Sequence, residues 1–147
     1  MKRVWRFRAL AIIDDYSREC PVIEVDTSLG GARVVSVLTR LEETRGLPEV
    51  ITMDNGPEFA GKVLDEWAYR KGVTLNFIRP GKPIDNAFAE SFNGRLRDEC
   101  LNTNWFMNIK HAKQVIEDWR RDYNEVRPHT SLNNKTPREY AEAAVRL

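Results

Sequence analysis

Apolar residues along the chain keep two spacings, and the switches between them mark out the elements. From Val4 the pattern first alternates (Trp5, Phe7) and then runs apolar without a break from Ala9 to Ile13. That predicts a strand over 4–13 whose inner part is buried on both faces. Asp14-Asp15-Tyr16-Ser17-Arg18 is a polar turn, and Val22 to Val25 is a second strand close enough to pair with the first as a hairpin. The spacing then becomes helical. Val34, Val35, Leu38 and Leu41 stripe a helix from Gly30-Gly31 to about Thr44, stopped by Gly46-Leu47-Pro48. Val50 to Met53 is a short buried strand. Phe59, Val63, Trp67 and Ala68 mark a helix over 59–71 with Gly72 as its C-cap. Thr74 to Ile78 is another strand, and Arg79-Pro80-Gly81-Lys82-Pro83 is a loop. A helix follows from Asn86 to about Leu101. The next, from Ile109 to Val126, is striped by Ile109, Ala112, Val115, Ile116, Trp119, Tyr123 and Val126 and ended by Pro128. Thr136-Pro137-Arg138-Glu139 combines an N-cap, a proline at the first helical position and a capping box, so a short last helix begins there.

The predicted order is β-β-α-β-α-β-α-α-α, an α/β chain with a mixed sheet and helices packed on it. Its 147 residues suit one domain of ordinary size. A hydrophobic fraction of 41% and a charged fraction of 31% exclude a membrane protein and wholesale disorder. The basic start Met1-Lys2-Arg3 is followed by an apolar run too short for a signal peptide. Lys and Arg number 23 against 22 Asp and Glu, a net charge of +1, so any surface for nucleic acid must be local. Cys20 and Cys100 have no metal spacing and suit a reducing compartment. His111 and His129 are far apart, which argues against zinc.

Two segments carry chemistry. In Met53-Asp54-Asn55-Gly56-Pro57-Glu58-Phe59 an aspartate leaves the end of a buried strand and enters a glycine turn, the place where α/β sheets build sites. In Asn86-Ala87-Phe88-Ala89-Glu90-Ser91-Phe92-Asn93-Gly94-Arg95-Leu96-Arg97, helical spacing puts Asn86, Glu90, Asn93 and Arg97 along one stripe. A carboxylate there can hold a metal and a guanidinium can meet a phosphate. Taken alone, the first segment also reads as an ordinary turn and the second as a solvated helix face with local ion pairs.

Together the two segments say more. Between Asp54 and Glu90 lie 35 residues. The run Asp54-Asn55-Gly56-Pro57-Glu58-Phe59, that gap, and the run from Asn86 to Asn102 resemble the DDE transposases of bacterial insertion sequences, whose core is similar to retroviral integrase. Within that group the chain resembles the integrase-core (rve type) protein, usually called OrfB, of the insertion sequence three family. Asp14 to Cys20, Pro80-Gly81-Lys82-Pro83, Trp119 to Asn124 and Arg127 to Leu132 match signatures of the family in the same order. The resemblance covers nearly the whole chain.

The resemblance implies an RNase H-like fold, a five-stranded mixed sheet flanked by helices, with residues 1–105 as the catalytic core and 106–147 as a helical extension packed on it. It implies metal-dependent DNA strand transfer, with water or a DNA 3′-hydroxyl attacking a phosphodiester in line. Asp54 and Glu90 match the second and third acidic residues, which hold two Mg²⁺ or Mn²⁺ ions. Hard oxygen ligands suit such ions. Asn86 and Arg97 match positions near the DNA end, and Arg79, Lys82 and Arg95 are further phosphate-contact candidates. The implied partners are transposon ends and target DNA, on which the protein acts as a homo-oligomer, nucleoid-associated in a bacterial cytoplasm and without a membrane. For Tyr123, Asn124, Arg127, Pro128 and His129 a structural role is expected. One departure stands out: the family's first catalytic aspartate sits on a strand that precedes 4–13. This chain is therefore expected to begin one strand late and to be impaired; Asp14 and Asp15 are the available substitutes for the missing carboxylate, but in the family pattern they follow the second strand and lie beside the site at best. The alternative is an inactive remnant that binds DNA or transposase.

Overall fold

The computed structural model describes residues 7–54, 61–78 and 87–145. In chain order these form β1 (Arg8–Ile12), β2 (Val22–Asp26), α1 (Gly31–Arg45), β3 (Val50–Asp54), α2 (Lys62–Lys71), β4 (Thr74–Ile78), α3 (Ala87–Leu96) running into a π-helical turn (Arg97–Leu101), α4 (Ile109–Glu125), a 3₁₀ turn (Thr130–Leu132) and α5 (Pro137–Val145). The expected order of elements holds. The chain divides into two compact units, Met1–Thr27 with Phe88–Leu147, and Ser28–Ala87.

The first unit joins segments distant in sequence. β1 and β2 pair antiparallel, with Arg8 opposite Asp26 and Ile12 opposite Val22. Cys20, Ile23 and Val25 from this hairpin meet Phe92, Leu96 and Cys100 from α3 and its π turn, and Ala112, Ile116 and Tyr123 from α4. At the centre Phe92 is 2% exposed and stands edge-on to Tyr123 at 4.9 Å and to Trp119 at 5.4 Å. Aromatic edges carry positive charge and faces negative, so this geometry adds to the area buried. α4 also ties the start of β2 by hydrogen bonds. The Asn124 side chain accepts from the Cys20 N–H at 2.8 Å and donates to the Cys20 carbonyl at 2.9 Å. Arg120 donates to the same carbonyl at 2.9 Å while Glu117 holds its guanidinium through two bonds of 2.6 and 2.9 Å. Backbone groups outside a ladder need such partners once buried.

The second unit is contiguous. β3 and β4 run parallel, Val50 opposite Thr74 and Asp54 opposite Ile78, with α2 as the crossover. α2 packs on α1 and on β4. Leu64, Trp67 and Ala68 form its buried row. It ends at Gly72, which takes the left-handed conformation (φ 73°) with the Val73 N–H bonded to the Ala68 carbonyl at 2.9 Å and the Gly72 N–H to that of Tyr69 at 3.4 Å. This is a Schellman motif, and glycine takes that φ without a side-chain clash.

Several expectations change. β1 is not buried on both faces: Ala9 is exposed and Leu10 to Ile12 are half-buried. Among the described residues it has one strand neighbour, β2. The mixed strand directions are present, but as two separate pairs without a hydrogen-bonded ladder joining them among the described residues. In α1 Val37 is buried where Val35 and Leu41 are only half-buried. In α2 Val63 is 49% exposed, because the buried row of this helix runs through Leu64, Trp67 and Ala68. Val126 is exposed because α4 ends one residue before it, where the Val126 and Arg127 N–H groups both turn back to the Asp122 carbonyl. The capping box at α5 is as expected: Thr136 Oγ1 accepts from the Glu139 N–H at 3.1 Å and Glu139 Oε1 from the Thr136 N–H at 3.0 Å. Residues 4–6 of the first predicted strand and 59–60 of the second predicted helix lie outside the described residues.

Candidate catalytic and DNA-binding site

Asp54 is the last residue of β3, and its register partner Ile78 is the last of β4. Asp54 and Ile78 therefore lie together at the carboxyl end of this parallel pair, where α/β sheets place ligands. Asn86, Lys82 and Arg79 lie outside the described residues.

Glu90 sits in the first turn of α3, exposed, and no described residue gives it a hydrogen bond or ion pair. Among the described residues both of its oxygens are left free to accept. Asn93 and Arg97 are exposed further along the same stripe, and among the described residues Arg97 has one long ion-pair contact, 3.9 Å, to Asp98. Arg95 is exposed on a different face. Phe92 and Leu96 fill the buried side of α3 and so fix the direction of the Glu90 stripe. At the π turn the Asn102 N–H bonds to the Arg97 carbonyl five residues back, at 2.8 Å. An extra residue per turn here seats Cys100 in the core and leaves Glu99 to meet Arg127 at 2.6 Å. That guanidinium holds the Glu99 carboxyl below its ordinary range.

The two aspartates after β1 differ. One Asp14 oxygen accepts from the Tyr16 N–H at 2.9 Å and the Ser17 N–H at 3.3 Å, so this carboxylate shapes its own turn. Asp15 is exposed at the tip of that turn. Among the described residues no three His, Cys, Asp or Glu side chains converge as a metal site. Burial pushes the Cys20 thiol up to about 12, which leaves it inert. An open groove of about 350 Å³ lies between β2 and α4, lined by Ile23, Glu24, Val25, Lys110, Lys113, Gln114 and Glu117, none of them a sequence-predicted site residue.

The residues for which sequence showed no chemistry are structural. Tyr123 stacks on Trp119 at 5.6 Å and takes the His129 ring edge-on at 4.8 Å. Asn124 and Arg120 clamp Cys20. Their signal in the sequence was a polar residue on each side of an apolar helical stripe, which does not say what it binds.

Comparison with known proteins decides the family. Residues 2–83 match the model of the integrase core domain, and residues 71–137 match a second model of the same description. The chain belongs to the integrase core domain family. As an integrase core it is 48% identical over 136 residues to the insertion element IS407 uncharacterized 31.7 kDa protein of Burkholderia multivorans, covering 92% of this chain and 49% of that protein. It is 43% identical to the insertion element IS476 uncharacterized 39.2 kDa protein of Xanthomonas euvesicatoria, covering 92% and 39%. The chain thus spans half or less of the length of these curated relatives. Among solved structures it resembles the simian T-cell lymphotropic virus intasome (TM-score 0.73, 19% identity, 91% of this chain and 48% of that one). It also resembles the HTLV-2 integrase catalytic core domain in complex with magnesium (TM-score 0.65, 14% identity, 91% and 93%). The fold is therefore the RNase H-like one of retroviral integrase cores, as the sequence motifs implied. No helix among the described residues is long and apolar enough to cross a membrane.

Proposed function

We propose that this integrase core carries out metal-dependent DNA strand transfer in transposition. The observation that carries the reading is the unspent, exposed Glu90 at the start of α3, in a chain whose β3 ends on Asp54. The donor set fits the hard divalent cations: carboxylate oxygens, with no thiol or imidazole among them. Asp54 and Glu90 would hold Mg²⁺ or Mn²⁺, two ions in the full site. A metal held there would supply Lewis-acid polarisation of the scissile phosphodiester and a lower pKa for the attacking water or 3′-hydroxyl. In the reaction a phosphorus–oxygen bond forms in line with the one that breaks, without a covalent link to protein. Arg97 meets a backbone phosphate, joined by Asn86, Lys82 and Arg79, and so orients the DNA. Residues 1–105 act as the catalytic core, with 106–147 as its helical extension; the packing of α4 on β2 supports this. The magnesium complex and the intasome among the structural neighbours support divalent metal, DNA and an oligomer on DNA as partners. A bacterial cytoplasm is the compartment where such DNA is met.

The test is Mn²⁺-dependent joining of a labelled, precut DNA end to plasmid, by this chain and by a version extended upstream. Strand transfer is expected to be lost in Glu90→Gln and Asp54→Asn while the melting temperature of each stays unchanged. Joining that survives Glu90→Gln removes Glu90 from the site. Joining lost in Asp14→Asn or Asp15→Asn assigns the third carboxylate to the turn after β1. DNA binding without joining by either version selects the alternative, a DNA-binding or transposase-interacting module.

A further inference from the structure

The turn that Asp14 shapes ends in an unusual arginine. Arg18 adopts a left-handed backbone conformation, φ 65°, which a side chain with a Cβ takes only when its surroundings enforce it. The enforcement is visible. The Arg18 N–H bonds to the Asp14 carbonyl at 2.8 Å, and the Asp14 N–H bonds to the Glu19 carbonyl at 2.8 Å. The Glu19 carboxylate is occupied by the Ser17 hydroxyl at 3.1 Å. The result aims the Arg18 side chain at α3, where its guanidinium carbon lies 3.4 Å from the centre of the Phe88 ring. Stacking fixes the fork in one orientation, so little further order is lost when it binds.

Among the described residues this fork has no anion, unlike the other buried or paired arginines of the unit. Arg120 is held by Glu117, Arg127 by Glu99 and Asp122, and Arg138 by Glu125 and Glu142. Among the described residues no carboxylate sits on Arg18 or on Arg95, and the Arg18 Nε is buried without any partner. Helical spacing relates the two arginines. Phe88, Ser91 and Arg95 share one side of α3, at positions i, i+3 and i+7, whereas Glu90 and Arg97 lie on another. The charges of Arg95, Arg127 and Arg18 all help to hold the His129 imidazole below its ordinary pKa, after the larger effect of its burial, so the three guanidiniums lie on one side of the unit, where Glu99 is paired with Arg127.

We propose that Arg18, stacked on Phe88, and Arg95 form a seat for the sugar-phosphate backbone of a DNA strand, on a face of α3 distinct from that of Glu90 and Arg97. Seven residues of helix span about 10 Å. One strand of duplex presents a phosphate every 3.4 Å or so along its axis, so the two arginines engage different phosphates of one strand. Ser91, exposed between them, is a neutral donor to the backbone. The proposal rests on the DNA-processing reading above.

The test is binding of a fluorescently labelled duplex to the full chain, without divalent metal, from about 50 to 200 mM salt. For the wild type, log affinity falls linearly with log salt. Arg18→Gln and Arg95→Gln each weaken binding several-fold and reduce the slope by about 0.9, and the double variant by about 1.8. Arg138→Gln, whose guanidinium already has two carboxylates, leaves the slope unchanged. Arg95 is exposed, so Arg95→Gln carries the test even if Arg18→Gln lowers the melting temperature. An unchanged slope in Arg95→Gln, or in a folded Arg18→Gln, overturns the seat and leaves the DNA reading standing. Absence of salt-dependent binding by the wild type overturns both. Displacement of the duplex by inorganic phosphate at fixed ionic strength reassigns the seat to a free anion and also overturns it.

Discussion

The two units are built by opposite means. Ser28–Ala87 is a run of neighbours in sequence: β3, its crossover helix α2 and its parallel partner β4, with α1 on α2. Its closing device is local, a glycine at the end of a helix. The other unit brings Met1–Thr27 to Phe88–Leu147 and joins them with aromatic rings and with side-chain bonds to a backbone 100 or more residues away in sequence. Each unit carries one of the two proposed metal ligands, Asp54 in the contiguous one and Glu90 in the discontinuous one. The difference teaches where stability is concentrated. A contiguous unit spreads it over short-range contacts. A discontinuous one must regain the entropy of closing a long loop through a few well-packed contacts.

Removing the centre of the discontinuous unit is the strongest way to break this comparison. Phe92→Ala takes a ring that is 2% exposed from between Tyr123 and Trp119 and should cost about 3–5 kcal/mol. Urea unfolding checks the magnitude, and hydrogen exchange checks its distribution. Faster exchange in α4 than in β4 is expected, and equal acceleration of both would show that the units do not differ in this way.

The contiguous unit should respond less. Gly72→Ala puts a Cβ on a residue at φ 73°, with no atom within 4 Å to clash, so only backbone strain remains. That is about 1 kcal/mol, read by the same denaturation, with its effect on exchange centred on α2 and β4.

The smallest effect is in pH. Burial, followed by the charges of Arg95 and Arg127, holds His129 below its ordinary pKa in the folded state. The folded protein therefore binds its proton less readily than the unfolded chain does. The contribution of His129 is fully present above the unfolded value of about 6.5 and is lost as the pH falls toward the folded pKa. Melting temperatures from pH 8 to 5 should decline on the acid side of about 6.5. His129→Gln should flatten that limb, leaving only the decline at lower pH where Glu99 and Glu117, both held low by arginines, take up protons. An identical limb in the variant would place the effect elsewhere.

How much of this was legible in the sequence follows from the range of the forces. The periods of two and 3.6, the glycine after Lys71 and the Thr136–Glu139 capping box act within a few residues, so the sequence alone determined the elements and most of their ends. The same is true of the Glu90 stripe, because Phe92 and Leu96 mark the opposite, buried face of one helix. Ordered motifs also determined the family. What sequence could not determine depends on contacts between distant segments. Val63 and Val126 share the apolar character of their neighbours, and only the packing of α2 and the end of α4 left them exposed. β1 looked doubly buried because its residues are apolar, yet burial depends on what covers a strand. Asn124 and Arg120 meet Cys20 across some hundred residues, and Arg18 meets Phe88 across seventy. No local spacing encodes such contacts. The tertiary structure decided them, because a side chain's hydrogen-bond or stacking partner is set by where the fold brings another segment within reach.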